Sequence, residues 1–421
     1  MGFQQGLFQE RRKMNNFVSP NEKGITRKKI KAALLLAIWT MLFFQAALQD
    51  AHPSLKLLDE LIVIGITVWA CCEAYGNRRQ PKVRYKSLII GSLLFLISGI
   101  ISTVLNGRNE PAPIVIDLFT SIKFVIVLIA TSVLVDDNEY LRRMLVGISK
   151  MLIAVMLVFA IASQFVDIGM AAGYRYMVRS FKFVYPHPTY VVQSLVGSIS
   201  LLIAFEDKNR LWISAGLIVC LMTMRAKAAG YVVFCIAAMV MGRAKGLRIS
   251  YVVAMCTAVL LVGMGALFEY YGDVTQARYL LMATAIKLAI RYFPFGVGFG
   301  AFGSSSSIAY YSPFYAEYGL DQVHGLSPTT GNYATDSFWA TLLGQFGLIG
   351  VLTFFFMLFC LWKLIKGLCS GGPRMSAAMS IAGYMILSSF GESAFFTPFS
   401  AVYLMFCLAV IMNIKNGMES K

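Results

Sequence analysis

Repeated apolar runs of about 20 residues constrain this chain more than any other feature of its sequence. The run over 86–105, for example, contains one charged residue, Lys86. A helix of that length crosses the ~30 Å hydrocarbon core of a bilayer. Because apolar residues make up 58% of the chain and charged residues only 14%, a water-soluble fold of 421 residues could not bury its apolar surface. The sequence therefore predicts an all-α polytopic membrane protein and excludes a disordered chain or a secreted disulfide scaffold.

These runs predict about twelve transmembrane helices. The seventh and eighth are short and flank Arg225 and Lys227, so they form either two helices or one broken helix. The twelve predicted spans are about 31–49, 55–75, 86–105, 114–135, 147–166, 189–205, 211–224, 228–242, 249–269, 336–362, 377–391 and 395–414.

The distribution of basic residues predicts how the spans are oriented. With the N-terminus in the cytoplasm, most of the 37 Lys and Arg residues fall in cytoplasmic segments, whereas Asp and Glu divide nearly evenly between the two sides. This asymmetry is the one that sets membrane topology. We therefore predict cytoplasmic N- and C-termini, with residues 1–30 forming a basic tail that contacts anionic membrane lipids. The basic residues that give the chain its net charge of +16 are explained by this topology, so we expect no nucleic-acid partner.

Two connections are unusually long, and both fall on the outer face of the predicted topology. The first, 167–188, lies among the nine predicted helices of 31–269. The second, 270–335, precedes the last three helices and the C-terminus, 336–421. Because long ordered loops often carry function, we expect the functional groups in these connections and at the helix ends beside them.

The first connection retains basic residues against the positive-inside trend. Arg175, Arg179 and Lys182 indicate either a bound anion, such as a phosphate or an acidic sugar, or anchoring to lipid headgroups. His187, between two prolines, is either a base or a structural residue.

Further candidates lie at predicted helix ends. Arg225 is close to hydrocarbon, where an unpaired charge is costly, and Lys227 beside it either contributes to the site or snorkels to the surface. Arg278 falls in the first turn of a helix predicted over 276–291. Asp336 either caps the tenth span or acts as a catalytic carboxylate, and Glu392 in the last outer hairpin can balance the arginines.

Glycines cluster in the second connection and in the span after it. Four of them between 296 and 303 include a literal GxGxxG string, but no strand precedes it and no βαβ unit surrounds it, which excludes a dinucleotide cofactor. They predict an irregular turn where backbone approaches backbone or ligand. Gly344, Gly347 and Gly350 predict a small-residue stripe for close helix packing.

Together these residues predict a site for a lipid that carries a diphosphate. At least three arginines, one or two carboxylates and one histidine converge on the outer face of the predicted topology. Arg suits phosphate because it offers a planar fork of donors to the phosphate oxygens and also keeps its charge near lipid. We expect no metal, since the three histidines are far apart and the cysteines lack ligand spacing, and no other cofactor.

Four motifs resemble the superfamily of O-antigen ligases and Wzy-type polysaccharide polymerases. "RSFKFVYPHPTY" is similar to its Arg and later His-Pro-Asn, with Thr189 in place of the Asn. "TMRAKAAG" is similar to its Ser-Arg-small-residue motif, and "RYLLMATAIKLAIRYFPFGVGFGAFG" to its Arg, helix, Pro and Gly-x-Gly-x-Gly signature. "TDSFWATLLGQFGLIG" is similar to its His-Asn-led helix with spaced glycines. The likeness in spans and loops covers most of the chain.

The resemblance implies a GT-C-like helical bundle in a bacterial inner membrane, acting on an undecaprenyl-diphosphate-linked oligosaccharide. A chain-length regulator and a flippase of the same pathway are the implied partners. Arg179, Arg225 and Arg278 would hold the diphosphate, and Asp336 or alternatively His187 would take the acceptor proton. Because ligases place a catalytic His where this chain has Asp336, a polymerase of O-antigen, capsule or exopolysaccharide repeat units is favoured over a ligase that transfers polymer to lipid A core.

A transporter, such as a flippase, is the alternative from another class. Its functional charges should lie near the membrane midplane. Asp117 and Lys123 are the candidates there, and they form either a proton or ion site or a structural pair.

Overall fold

The computed structural model describes residues 20–76, 85–135, 138–175, 177–205, 209–243, 272–330, 333–369 and 371–413. Nearly all the regular structure in these ranges is helical, as predicted. The helices are α1 Pro20–Ala51, α2 Leu58–Gly76, α3 Lys86–Asn106, α4 Pro111–Leu134, α5 Glu139–Phe165, α6 Pro188–Phe205, α7 Arg210–Met222, α8 Ala226–Arg243, α9 Ala277–Arg291, α10 Ser305–Ala309, α11 Pro313–Glu317, α12 Phe338–Leu368, α13 Gly372–Ser388 and α14 Tyr403–Asn413. Single 3-10 turns cover Pro53–Leu57, Leu320–Gln322 and Ala334–Asp336, and a π-helical turn covers Pro398–Val402.

Six helices are long and apolar enough to cross a membrane: Ile25–Ala51 within α1, and α3, α4, α5, α6 and α12. Shorter apolar helices, α7, Ala226–Met241 within α8, and Phe399–Asn413, correspond to the predicted seventh, eighth and twelfth spans. Helices α2 and α13 overlap the predicted second and eleventh spans, whereas the predicted ninth span, 249–269, lies outside the described residues. The helical, membrane-embedded architecture is therefore confirmed, and the number twelve stays a prediction.

Helix α6 lies in the interior of the bundle. Its apolar window is 94% buried, compared with 39% for α3 and for α12, and it packs against α5, α13 and α14. Outer helices instead expose apolar side chains such as Leu93 and Phe359. Such exposure is stable in a bilayer because lipid tails are as apolar as leucine.

The second long connection has its own small core, which packs on α12. The helix predicted over 276–291 is α9, and its residues Leu281, Ala285 and Leu288 are buried as predicted for its apolar face. They meet Phe302 and Tyr315 from the segment that follows. This connection is partly helical, as predicted, because its short helices can share that core.

The glycine-rich segment after α9 inserts at a break in α12. Gly347 has φ 60° and ψ −160°, so the helix is interrupted there. The carbonyl groups of Gly344 and Gln345 accept hydrogen bonds from the N–H groups of Val297 at 3.0 Å and Gly298 at 2.7 Å. The predicted approach of backbone to backbone is confirmed. The predicted helical stripe of glycines is wrong at its middle member, Gly347, which breaks the helix.

The first long connection contains an antiparallel hairpin that an all-α fold does not include. Its strands are β1 Ala171–Arg175 and β2 Val178–Phe181. The Ser180 hydroxyl donates a hydrogen bond at 2.7 Å to the carbonyl oxygen of Thr223, in the turn between α7 and α8. Met224 in that turn has a φ of 51°, and the chain forms a helix on either side of it, α7 before and α8 after.

The two mid-span charges, Asp117 and Lys123, do not pair with each other. The Asp117 carboxylate accepts a hydrogen bond from the backbone N–H of Gly300 at 2.7 Å and so fixes the glycine-rich segment to α4. The Lys123 ammonium forms ion pairs with Asp59 and, at 3.3 Å, with Glu60, which ties α4 to the first turn of α2. The prediction that Asp117 and Lys123 form a structural pair is therefore wrong. Each has a structural role, but Asp117 binds the glycine-rich segment and Lys123 binds α2.

Candidate functional site

The ends of several helices meet at one face of the bundle, which we call the site face. It comprises the N-terminal ends of α6, α8, α9 and α12 and the connection between α13 and α14. Six of the predicted residues lie there and form the site cluster: His187, Arg225, Lys227, Arg278, Asp336 and Glu392.

Glu392 is the most heavily bound carboxylate of the site cluster. It forms an ion pair with Lys227 at 2.8 Å across the gap from α8 to the α13–α14 connection. It also accepts hydrogen bonds from Gln193 of α6 at 3.1 Å and from the Ser388 hydroxyl at the end of α13. Four segments of the chain are therefore joined at one carboxylate.

Asp336 is bound from the opposite side of the site cluster. A terminal guanidinium nitrogen of Arg278 donates to its carboxylate at 2.8 Å. The alternative prediction, that Asp336 caps α12, is wrong because Ser337 occupies the N-cap position and makes no side-chain cap. The backbone N–H of Ser393 donates to the carbonyl oxygen of Thr335 at 2.8 Å, which places the chain segments of the two carboxylates side by side.

The environments of the two carboxylates move their pKa values in opposite directions. Burial raises the pKa of Asp336 above its ordinary value, and the opposing charge of Arg278 does not offset it. Burial acts in the same direction on Glu392, but the charge of Lys227 and the hydrogen bonds it accepts outweigh burial and lower its pKa. Asp336 is therefore the stronger base of the two, and Glu392 is a fixed anion.

His187 lies immediately before α6, beside the cations of the site cluster. Partial desolvation, and after it the charges of Arg225 and Lys227, lower its pKa to about 4. The imidazole is therefore neutral at pH 7 and only weakly basic. This makes His187 better suited to hydrogen bonding than to proton abstraction.

The cations of the site cluster lie where helix dipoles add to their potential. Lys227 is in the first turn of α8 and Arg278 in the first turn of α9, and Arg225 accepts the first helical hydrogen bonds of α8 through its carbonyl oxygen. A helix N-terminus carries about half a positive charge, so a cation there is unfavourable without a nearby anion. Glu392 supplies that anion for Lys227, and Asp336 supplies it for Arg278.

Arg179 is held away from the site cluster. Its Nε donates to the Tyr174 hydroxyl at 2.8 Å, its guanidinium lies over the Tyr174 ring, and Nη1 donates to the carbonyl oxygen of Ser163 at 3.1 Å. Arg175 is exposed on the same hairpin, and its charge acts on the site cluster because it contributes to the low pKa of His187. The hairpin thus brings Arg175, and not Arg179, toward the cluster.

Sequence reasoning missed Gln193 and Ser388, which donate hydrogen bonds to Glu392 beside the predicted Lys227. Gln193 is a buried amide within an apolar helix, and Ser388 lies four residues before Glu392. A polar residue in an otherwise apolar run signals a buried partner, but that signal does not name the partner.

The described part of the chain brings no three His, Cys, Asp or Glu side chains together as a group that could hold a metal ion. No known protein family and no curated protein matches the chain. The resemblance to the ligase and polymerase superfamily therefore stays a prediction.

Proposed function

We propose that the protein is a polymerase of undecaprenyl-diphosphate-linked oligosaccharide repeat units at the outer face of a bacterial inner membrane. The donor is a growing chain on the carrier lipid, and the acceptor is a sugar hydroxyl of the next repeat unit. One observation carries the proposal: three cations, two carboxylates and a neutral histidine meet at the helix ends of the site face.

The charge of the site cluster suits a diphosphate. The six residues of the site cluster carry three positive and two negative charges when His187 is neutral, so their net charge is positive. The adjoining helix N-termini add further positive potential. These groups would stabilise the negative charge that grows on the departing diphosphate as the glycosidic bond to the acceptor forms.

Asp336 is the better candidate for the base that takes the acceptor proton. Burial raises its pKa, whereas the pKa of His187 falls to about 4. A raised pKa makes a carboxylate a more effective base, and a lowered pKa makes an imidazole a less effective one. In this role His187 donates or accepts a hydrogen bond and stays neutral.

Aromatic side chains beside the site cluster provide a surface for the lipid tail. Trp339, one turn after Asp336, stacks on Phe355 and contacts Phe390. Phe355 is 49% exposed and Phe390 39% exposed, so this surface is open to a bilayer. A polyprenyl chain could lie along it with its diphosphate at the site face.

The test is polymer length on gels from a knockout strain complemented with Arg225→Ala, Arg278→Ala or Asp336→Asn. We expect each variant to lose long chains. Arg291→Ala is the matched control for Arg278→Ala, because Arg291 lies at the other end of α9 and pairs with Glu317 on the surface. Variants at Arg225 and Arg278 that express normally and yield full-length polymer would refute the proposal.

The same knockout distinguishes a polymerase from a ligase. A polymerase defect leaves single repeat units on the final acceptor, whereas a ligase defect leaves long chains on the carrier lipid. We expect the first result, because Asp336 stands where the ligases place a catalytic histidine.

The buried charges of α2 and α4 favour a transporter as the second candidate function. Lys123 and Asp59 are each 1% exposed and paired with each other, and charges buried within apolar helices often mark ion or proton pathways. Purified protein in liposomes that moves a lipid-linked oligosaccharide across the bilayer without extending it would favour this function over the polymerase.

A further inference from the structure

A cleft of about 640 Å³ opens between α1 and α2, at the end of the bundle opposite the site face. Its lining includes Arg27, Lys31, Trp69 and Glu73. Asp50, near the other end of α1, lies within electrostatic reach of Tyr190 at the site face. Because a helix rises 1.5 Å per residue, Lys31 is roughly 28 Å from Asp50 along α1. The cleft is therefore separate from the site cluster.

The described residues that line this cleft carry two positive charges, Arg27 and Lys31, and one negative charge, Glu73. Glu73 pairs with Arg27 at 3.1 Å and with Lys31 at 3.2 Å, so two cations share one carboxylate. Within the described part of the chain, Arg27 donates only through Nη2, which leaves Nη1 and Nε for a ligand. The Arg27 side chain is 66% exposed, so a ligand can reach it.

The walls of the cleft are apolar and open toward lipid. Ile30 is 58% exposed and Leu34 51% exposed, as expected of side chains that face acyl chains. Trp69 lines the cleft, and its indole N–H makes no hydrogen bond to the described residues. Tryptophan is typical of the membrane interface because its ring is apolar and its N–H can bond a headgroup.

We propose that this cleft binds the phosphodiester of an anionic glycerophospholipid. The phosphate accepts hydrogen bonds from Arg27 and from the Trp69 indole, and one acyl chain lies along Ile30 and Leu34. A lining with more positive than negative side chains, next to apolar walls, fits such a lipid better than a soluble anion, which would leave those walls without a partner.

The test is native mass spectrometry of the delipidated full-length protein titrated with phosphatidylglycerol or with phosphatidylcholine of the same acyl chains. We expect about a ten-fold preference for phosphatidylglycerol, because both lipids carry the phosphodiester but the choline cation of phosphatidylcholine cancels its charge beside Arg27 and Lys31. Arg27→Gln should remove the preference, and Trp69→Leu should weaken binding of both lipids.

Arg143→Gln is the matched control. Arg143 is 75% exposed and pairs with Glu139 on α5, at the same end of the bundle, because Asn138 donates to the Lys28 carbonyl oxygen at 2.9 Å. An equal loss of preference in this control would overturn the proposal, since general surface charge would then explain binding.

Three other results would also overturn it. One is equal binding of the two lipids by the unmodified protein. Another is competition by glycerol 3-phosphate at the concentration of the lipid, which would make the ligand a soluble phosphate. The third is lipid-free association of two chains that Arg27→Gln abolishes, which would make the cleft a contact between copies.

Discussion

The ion pair of Lys227 with Glu392 should be strongly coupled, and a double-mutant cycle measures that coupling. Glu392→Gln keeps the size of the side chain but removes its charge. The Lys227 ammonium then loses its anion. The new amide group also points its own N–H donors toward Lys227 and Gln193, which donate hydrogen bonds to Glu392 in the unmodified protein. Removing one partner of a buried pair costs about 3–5 kcal/mol. Because the two side chains remain 20% and 17% exposed, we expect the lower end of that range.

The reverse substitution should cost less. In Lys227→Met, Glu392 retains its hydrogen bonds from Gln193 and Ser388, so its charge stays partly satisfied. We expect a loss of about 2 kcal/mol. In the double variant no charge is left unpaired, and the total loss should also be about 2 kcal/mol rather than the sum of the single effects.

Equilibrium unfolding in mixed micelles of rising SDS content, followed by tryptophan fluorescence, gives the four free energies of the cycle. Lys366→Met, at the far end of α12, controls for loss of a lysine. Additive single effects would refute the coupling and with it the role of Glu392 as the junction of four segments.

The pH dependence follows from the lowered pKa of Glu392. A carboxylate whose pKa is lower in the folded state contributes stability above its ordinary value of 4.5, and this contribution disappears as the pH falls through the folded value. The difference in unfolding free energy between the unmodified protein and Glu392→Gln should therefore be constant near pH 7 and shrink below about pH 4.5. A difference that grows at low pH would contradict the sign.

Two further predictions concern packing and protonation. Gly300 and Gly319 share a φ of 69°, but a Cβ at Gly300 would meet the Pro113 backbone at 2.7 Å, whereas none lies within 4 Å at Gly319. In the same assay, Gly319→Ala should lower the free energy of unfolding by about 1 kcal/mol through backbone strain, and Gly300→Ala should lower it by at least about 2 kcal/mol more. Equal losses in the two variants would disprove the close packing at Gly300. His187→Gln should keep polymer length at pH 7, because the imidazole is already neutral, whereas Asp336→Asn should not. Loss of long chains in His187→Gln with full-length polymer in Asp336→Asn would assign the base to histidine instead.

Local patterns predicted the helices well and their interruptions poorly. Helix α9 was predictable because its apolar residues recur at helical spacing and bury one face. The break at Gly347 was not, because glycine is common in membrane helices and the groups that fill the break, the N–H donors of Val297 and Gly298, lie about 50 residues away along the chain. The hairpin was missed for a similar reason, since its short strands are fixed by the contact of Ser180 with another helix pair.

Residue type and predicted topology identified most of the candidate site. The juxtaposition of Arg278 and Asp336 was predictable because a charge near hydrocarbon needs a partner and both lie at predicted helix ends. Arg179 has the same residue type and the same predicted side of the membrane, yet it bonds Tyr174 five residues away. Nothing in the spacing distinguishes these two arginines, because local hairpin geometry decides the outcome.

The position of Arg278 depends on a glycine far from it. The carbonyl oxygen of Pro294 accepts a hydrogen bond from the N–H of Ile349 at 3.3 Å, just beyond the break at Gly347, and this contact holds the end of α9 against α12. The ion pair of Arg278 with Asp336 lies at the other end of α9, beside the N-terminal end of α12. These contacts hold the two ends of α9 against α12, and the buried side chains of Leu281, Ala285 and Leu288 pack between them. An unbroken α12 would keep its own backbone hydrogen bonds, release the glycine-rich segment and leave the guanidinium of Arg278 without a defined position over the carboxylate.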